Sequence, residues 1–282
     1  MRKLLLLSLA VAACAGAVHV GSAQAISACG TITASTTLSA DCAAPLIVGA
    51  SGITINLGGH NVVCDTAELW GILIPLGTSN VAVQNGTVRG GLSSCVDDVN
   101  VGGDSNRLVS LRAFDASGKG FTIGGDSNTL QSVTGNFNGD SGVIVFGDHN
   151  TVRQGTFAGN GDDGAAFFLG TGNVLIRSRS LLNDDQGIIV GASNTAVEEN
   201  QSFDNDVGLY FSDGSTGSIA VLNQTYLNDE GIWINDTSSH NTVVFNGSYA
   251  NFDTDMVDDN ANCDTNFWFN NLFSTSNQGC IS

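Results

Sequence analysis

Acidic side chains recur in the middle of this chain just ahead of a glycine. Asp140, the pair Asp162 and Asp163, the pair Asp184 and Asp185, Asp206, then Asp229 with Glu230, and Asp253 follow one another at nearly constant spacing. Carboxylates repeated in this way suit a hard cation. Ca²⁺ takes six to eight oxygen ligands, and Asp, Asn and turn carbonyls supply them. Asp162, Asp163, Asp184 and Asp185 are the candidate Ca²⁺ ligands, and the pattern requires no other cofactor. The competing reading is a solvated turn edge, because like charges about 5 Å apart repel by roughly 1 kcal/mol even in bulk water. Two aromatics accompany the acids: Tyr210 and Trp233 occupy corresponding places, each flanked by apolar residues. Adjacent exposed rings can stack on sugar faces. That makes Tyr210 and Trp233, edged by Asp206, Asp229 and Glu230, the candidate ligand-binding set.

Groups able to move a proton are few. Removing C5–H from a uronate needs a base, together with a cation to neutralise the carboxylate. His60, His149, His240, Lys119 and the tyrosines are the bases on offer. His60 sits in a Gly-Gly-His turn. His149 and His240 occupy turns too far apart to share a site, and Arg89, Arg107, Arg112, Arg153, Arg177 and Arg179 fall on no common column. A catalytic residue therefore stays unassigned. A soft-metal site is poorly supplied as well, since no CxxC occurs and Met256 is the only methionine after Met1.

These groups are placed by a repeat. Asn80, Asn106, Asn128, Asn150, Asn173, Asn194, Ser218 and Asn241 each precede a short β-rich run, at intervals of 21 to 26 residues. Gly120, Gly142, Gly164, Gly187, Gly208 and Gly231 open a second run in step with the first. A period of this size with short strands and no helical stripe specifies a solenoid. After each glycine, the first position reads Phe121, Val143, Ala165, Ile188, Leu209, Ile232, and the third Ile123, Val145, Phe167, Val190, Phe211, Ile234. Both columns face inward, so strand alternation turns the second position outward: Thr122, Ile144, Ala166, Ile189, Tyr210, Trp233. An outward column this apolar predicts a ligand or partner surface, unless the tail holding Phe267, Trp268 and Phe269 folds over it. Asn138, Asn160, Asn183, Asn205, Asn228 and Asn251, and separately Asn200, Asn223 and Asn246, predict amide ladders in the turns. The expected fold is all-β: a right-handed parallel β-helix of about nine to ten coils with capped ends, roughly 45 Å long at one rung per 4.8 Å.

The chain ends bear on compartment. Arg2 and Lys3, the apolar run Leu4 to Ala13 and the small residues of Ala23-Gln24-Ala25 read as a signal peptide over residues 1–25. Val11-Ala12-Ala13-Cys14 offers the rival reading of a lipoprotein anchored at Cys14. Residues 26–282 then form a single β-helix domain, with an N-terminal cap at 26–50 and a C-terminal cap at 257–282. No later stretch is apolar enough for a transmembrane segment. Loss of Arg2 and Lys3 takes the formal net charge from −18 to −20, which argues against nucleic acid as a partner. The protein is expected to be secreted, periplasmic or at the cell surface. Six cysteines remain beside Cys14, and an even number in an exported chain suggests disulfides. Of the 15 pairings, proximity favours Cys29–Cys42, Cys64–Cys95 and Cys263–Cys280.

The Gly-φ-x-φ strands (φ apolar), the Asn-x-φ strands and the Asn-x-x-x-Gly turns resemble the bacterial right-handed parallel β-helix repeats of the pectate-lyase-like superfamily. Cys29-Gly-Thr-Ile-Thr and Ile53-Thr-Ile-Asn-Leu-Gly-Gly-His60 resemble the N-terminal cap and first coil of such proteins. The resemblance covers essentially the whole mature chain. It is specific for fold and unspecific for activity, because the superfamily spans lyases, hydrolases, epimerases, copper-site maturation proteins, adhesins and tailspikes. Galacturonan-hydrolase motifs Gly-His-Gly and Arg-Ile-Lys, the Arg-x-Pro-x-x-Arg segment of pectate lyases and the Asp-Pro-His motif of alginate epimerases are all missing. The expected function is binding of a polysaccharide or cell-surface component through the aromatic and acidic face. The alternative is a polysaccharide-active enzyme: a lyase, epimerase or hydrolase with another motif.

Overall fold

The computed structural model describes residues 24–26, 29–64, 68–90 and 95–282. Arg2, Lys3, the run Leu4 to Ala13, Cys14 and Ala23 lie outside the described residues. Gln24–Ile26 forms a strand that pairs in parallel with Thr36–Leu38. Cleavage after Ala25 would leave only Ile26 of that strand.

The protein is an all-β, right-handed parallel solenoid of about ten coils. A representative coil has three strands, Thr129–Gln131, Thr134–Asn136 and Val143–Val145. Each pairs in parallel with its counterpart one coil later: Thr151–Arg153, Thr156–Ala158 and Ala165–Phe167. The first and second strands of successive coils make one 19-stranded sheet that turns a corner, and the third strands make an 11-stranded sheet. Among the described residues the one helical turn is Ala261–Cys263, and no helix is long and apolar enough to cross a membrane.

The corners are made by single residues in left-handed conformation. Ser132, Gln154, Arg177, Glu199, Leu222 and Phe245 separate first from second strands, and Phe137, Leu182, Asp204, Leu227 and Ala250 follow the second strands, all with φ between 51° and 58°. A non-glycine residue there is disfavoured. What holds it is the register: Ser132 N–H donates to Arg153 C=O at 3.0 Å and Phe137 N–H to Ala158 C=O at 3.0 Å, so the corners are bonded from coil to coil as the strands are.

The alternation read from sequence sets the core. Ile188, Val190, Leu209, Phe211, Ile232 and Ile234 are buried, in one cluster with Leu130, Val152, Leu175 and Val197 from the first strands. The amide ladders run beside it. Asn183 Nδ2 donates to Asn205 Oδ1 at 2.9 Å and Asn205 Nδ2 to Asn228 Oδ1 at 3.1 Å; Asn200 and Asn223 repeat the contact at 3.0 Å. The glycine column fits against this ladder, since a Cβ at Gly164 would fall 1.7 Å from Ser180 Oγ and 2.6 Å from Gly187 O. A third ladder precedes the first strands, where each Oδ1 accepts the previous rung's N–H, as Asn128 does from Asn106 and Asn150 from Asn128. Two of these rungs carry neither asparagine nor serine. The ladder positions are Val81 and Thr195, whose N–H groups bond Asn106 Oδ1 and Ser218 Oγ. Asn80 and Asn194 stand one residue earlier, as left-handed corners.

Three disulfides join Cys29 to Cys42, Cys64 to Cys95 and Cys263 to Cys280. At the C-terminal end Phe267–Phe269 forms the last rung against Thr242–Val244. Trp268 alone of its three aromatics seals the core, with Phe273 packed partly beside it, while Phe267 and Phe269 are exposed. Strand alternation turns two of every three side chains in that short strand outward.

Candidate functional site

The outer face of the 11-stranded sheet carries the residues of interest. Its register puts Asn100, Thr122, Ile144, Ala166, Ile189, Tyr210, Trp233 and Val257 in one column. The middle of this column is not open. Ile144, Ala166 and Ile189 are buried, in a satellite cluster with Phe146, Phe168 and Tyr210. The two added phenylalanines lie just beyond the strand ends and stack at 6.5 Å. An exposed apolar stripe was expected here; outward side chains this large cover one another instead.

The column opens at Tyr210 and Trp233, both half-buried. Their ring centroids are 5.2 Å apart with planes at 52°. Trp233 Nε1 donates to Asp259 Oδ2 at 2.8 Å, and Asn235 Nδ2 donates to Tyr210 Oη at 3.1 Å, so both polar tips are anchored and the ring bodies are left for contact. The tail segment Phe267–Phe269 does not lie over the pair, because it runs in the 19-stranded sheet. Burial, and then the nearby charges of Asp213, Asp259 and Asp236, raise the Tyr210 pKa despite the hydrogen bond from Asn235. These are the acids that flank the aromatics. Asp206, Asp229 and Glu230, expected at that edge, sit three or four residues earlier, at or just before the starts of the same strands, roughly 10–13 Å away at 3.3 Å per residue. The signal for the correct set was present in Ser212-Asp213-Gly214 and Asn235-Asp236-Thr237, turn sequences directly after each aromatic strand.

Three rungs from Trp233, about 14 Å along the axis, carboxylates converge. One oxygen each from Asp162, Asp163 and Asp185 lies within 4.8 Å of the others. Asp184, expected among them, is exposed and does not join the group. Asp163 is only 2% exposed, and among the described residues its carboxylate accepts one hydrogen bond, from Gln186 N–H at 3.3 Å. Burial, then the charges of Asp162 and Asp185, push its pKa up to about 8. Burial and neighbouring carboxylates also raise Asp162, Asp185 and Glu230. The separation fits Ca²⁺, since oxygens at 2.3–2.6 Å from an ion can stand up to about 5 Å apart across it.

The next rungs toward the N-terminus hold a cation of the protein's own. Lys119 Nζ pairs with Asp140 at 2.7 Å. Burial opposes ionisation on both sides of this pair, but the mutual contact, with Ser141 donating to Asp140, keeps the lysine pKa raised and the aspartate pKa lowered. Asp97 accepts from Thr122 Oγ1 at 2.9 Å and from Lys119 N–H at 3.3 Å. Asp98 takes the place of a glycine in the column before Gly120. It is fully buried, its Oδ1 has no hydrogen-bond partner among the described residues, and burial raises its pKa to about 8 even though Phe114 and Gly90 N–H groups donate to it. Sequence reading passed over Lys119–Asp140 and Asp98, because only the pairing register shows which residues face each other. His60, in the first coil, meets Asp41 at 3.3 Å, and His149 and His240 are left-handed corners.

A family model described as the right handed beta helix region matches residues 97–247. Among solved structures, pectate lyase Pel9A aligns with a TM-score of 0.63 at 16% identity, over 83% of this chain and 70% of that one. The A-module of mannuronan C-5 epimerase AlgE4 from Azotobacter vinelandii aligns with 0.63 at 13%, over 89% and 86%. Tailspike protein gp49 from Acinetobacter baumannii bacteriophage Fri1, a capsular polysaccharide depolymerase, aligns with 0.58 at 10%, over 88% of this chain and 57% of that one. At these identities the likeness is one of fold. No curated protein matches the sequence.

Proposed function

Since the chain belongs to the right-handed β-helix family, we propose that it is an exported carbohydrate-binding protein whose glycan lies along the outer face of the 11-stranded sheet. One observation carries this reading: Tyr210 and Trp233 stand in register on adjacent rungs, half-buried, with their polar tips tied to Asn235 and Asp259. Rings held in this way lose little freedom on binding, and Asp213 and Asp236 beside them can accept sugar hydroxyl hydrogens. Ca²⁺ at Asp162, Asp163 and Asp185 would extend the face toward acidic sugars. Proteins of the same fold whose names declare action on pectate, mannuronan and capsular polysaccharide support a carbohydrate ligand. Three disulfides suit an oxidising exterior. The test is a panel of neutral and acidic glycans titrated into the protein with Ca²⁺ and with chelator. Saturable binding that the double variant Tyr210→Ala, Trp233→Ala loses is the expected result, and no binding across the panel contradicts the reading.

A second reading, a polysaccharide-active enzyme, is favoured by Asp163. A carboxyl with a pKa near 8 keeps its proton at neutral pH and is suited to protonate a leaving group. Depolymerisation or epimerisation of a panel polymer by the wild type, abolished by Asp163→Asn, would establish it. An inactive wild type leaves binding alone.

A further inference from the structure

The cations of this acidic protein are concentrated on a different surface. Among the described residues every arginine lies on strands or corners of the 19-stranded sheet, and Lys119 is the sole cation on the other sheet. Three of the arginines fall within four consecutive coils of the first-strand face, with Gln131 on the coil between the first two. The register aligns Val109, Gln131, Arg153, Ile176 and Glu198, with Arg107 two residues before Val109 and Arg177 directly after Ile176. Arg107 Nη2 and Arg153 Nη2 reach from the rungs on either side to a single acceptor, Gln131 Oε1, at 2.9 and 2.7 Å. Neither has a carboxylate at ion-pair distance among the described residues, whereas Arg177 is held by Glu199 through Nε and Nη2 at 2.8 and 3.1 Å. Between Arg153 and Arg177 lies a cleft of about 300 Å³, lined by Gln131, Arg153, Gln154, Ile176 and Arg177.

We infer that this cleft is a second ligand site, which takes the carboxylate or sulfate groups of an acidic glycan. A guanidinium carries five N–H donors in a planar fork suited to paired oxygens. The Arg107 and Arg153 guanidinium groups each donate one bond among the described residues, so most of their donors remain available. Gln131, by accepting from both, ties Arg153 at the cleft wall to Arg107 one rung beyond Gln131, outside the lining residues. Ile176 supplies an apolar floor for a sugar ring, and Gln154 a further amide at the rim. Glu199 is neutralised by Arg177, which leaves Glu198, one rung beyond Ile176, as the facing acid. From Arg107 to Arg177 the cations span three rung steps, about 14 Å. A polymer carrying anionic groups at regular intervals can therefore meet more than one of them, which a single small anion cannot. The site does not depend on Tyr210 and Trp233, which stand on the other sheet.

The test uses the full chain and three probes: a uronic-acid oligomer, its uncharged esterified form and a sulfated neutral oligomer. Titrations compare the wild type with Arg107→Gln, Arg153→Gln and with Trp233→Ala at low and physiological salt. All three substituted side chains lie on the outer surface, and unchanged thermal unfolding verifies the fold. The double arginine variant is expected to bind the acidic oligomer at least about ten-fold more weakly, as losing charge-assisted hydrogen bonds requires. Wild-type binding should weaken with salt, the esterified form should show no dependence on the arginines, and Trp233→Ala should leave the arginine-dependent part intact. Preference for the uronate or the sulfated probe identifies which anionic group is taken. Equal binding of acidic oligomers by wild type and double variant, or no wild-type binding of either, overturns the inference and leaves the aromatic face to stand or fall on its own titration.

Discussion

Asp163→Asn isolates the most perturbed group on the candidate face. Burial and the adjoining Asp162 and Asp185 lift the Asp163 carboxyl from 3.8 to about 8. Between those values the folded protein holds a proton that the unfolded chain has released. Stability therefore falls as pH rises: the contribution is fully present below 3.8 and is lost as pH passes through about 8. One such group changes the unfolding free energy by about 1.4 kcal/mol per pH unit, or roughly 3 kcal/mol from pH 5 to pH 7. Asparagine keeps an oxygen for the Gln186 N–H and cannot ionise, so the variant should lose that slope. Asp98, whose pKa is raised to about 8 in the same direction, slopes equally in both proteins and cancels. The assay is urea unfolding of wild type and variant at pH 5, 6 and 7 in chelator. The wild type should lose ground to the variant by about 1 M in midpoint over that range. Added Ca²⁺ should flatten the wild-type slope and leave the variant's unchanged, because an ion bound to the trio stabilises the ionised form. Parallel slopes in the two proteins would refute both the burial argument and the cation site.

Other parts of the scaffold make separate predictions. Asn205→Ala removes the acceptor for Asn183 N–H and Nδ2 and the donor to Asn228, and should cost about 2–3 kcal/mol in denaturant unfolding. Asn194→Gly, at an exposed left-handed corner, should stay within about 0.5 kcal/mol of wild type. Gly164→Ala drives a Cβ into Ser180 Oγ and Gly187 O, and a loss of about 1–3 kcal/mol is expected, visible as a lower thermal midpoint. Replacing Cys263 and Cys280 by serine opens a loop of sequence separation 17. It should cost about 3 kcal/mol and show first as faster proteolysis of the last rung.

How far the sequence could be read depended on how local the signal was. The period of Gly120 to Gly231 and the apolar pairs such as Ile188 and Val190 state the coil and its inside directly, because a strand alternates whatever lies beyond it. Exposure is another matter. Ile189 points outward as expected, yet it is covered by aromatics and aliphatics of other rungs that also point outward, and strand alternation says nothing about such lateral cover. The acid partners of Tyr210 and Trp233 were misplaced because nearness along the chain stood in for nearness in space: Asp206 and Asp229 directly precede strands whose far ends hold the aromatics. Asp184 and Asp185 could not be ranked from their order alone, and the structure turns only Asp185 toward Asp163. Asn80 and Asn194 drew attention as asparagines, although the ladder at their rungs passes through Val81 and Thr195, whose backbone N–H groups are all it needs.

The most direct measurement of the central claim is the affinity of the wild type and Trp233→Ala for whichever glycan the panel identifies, determined by calorimetry in parallel with Asp259→Asn. Stacking on an aromatic is worth roughly 1–3 kcal/mol, so loss of the indole should weaken binding about ten-fold or more. Asp259→Asn, which retains an acceptor for Nε1, should bind nearly as the wild type does. Equal affinity of Trp233→Ala and wild type, with the fold intact, would contradict the claim that this face holds the ligand.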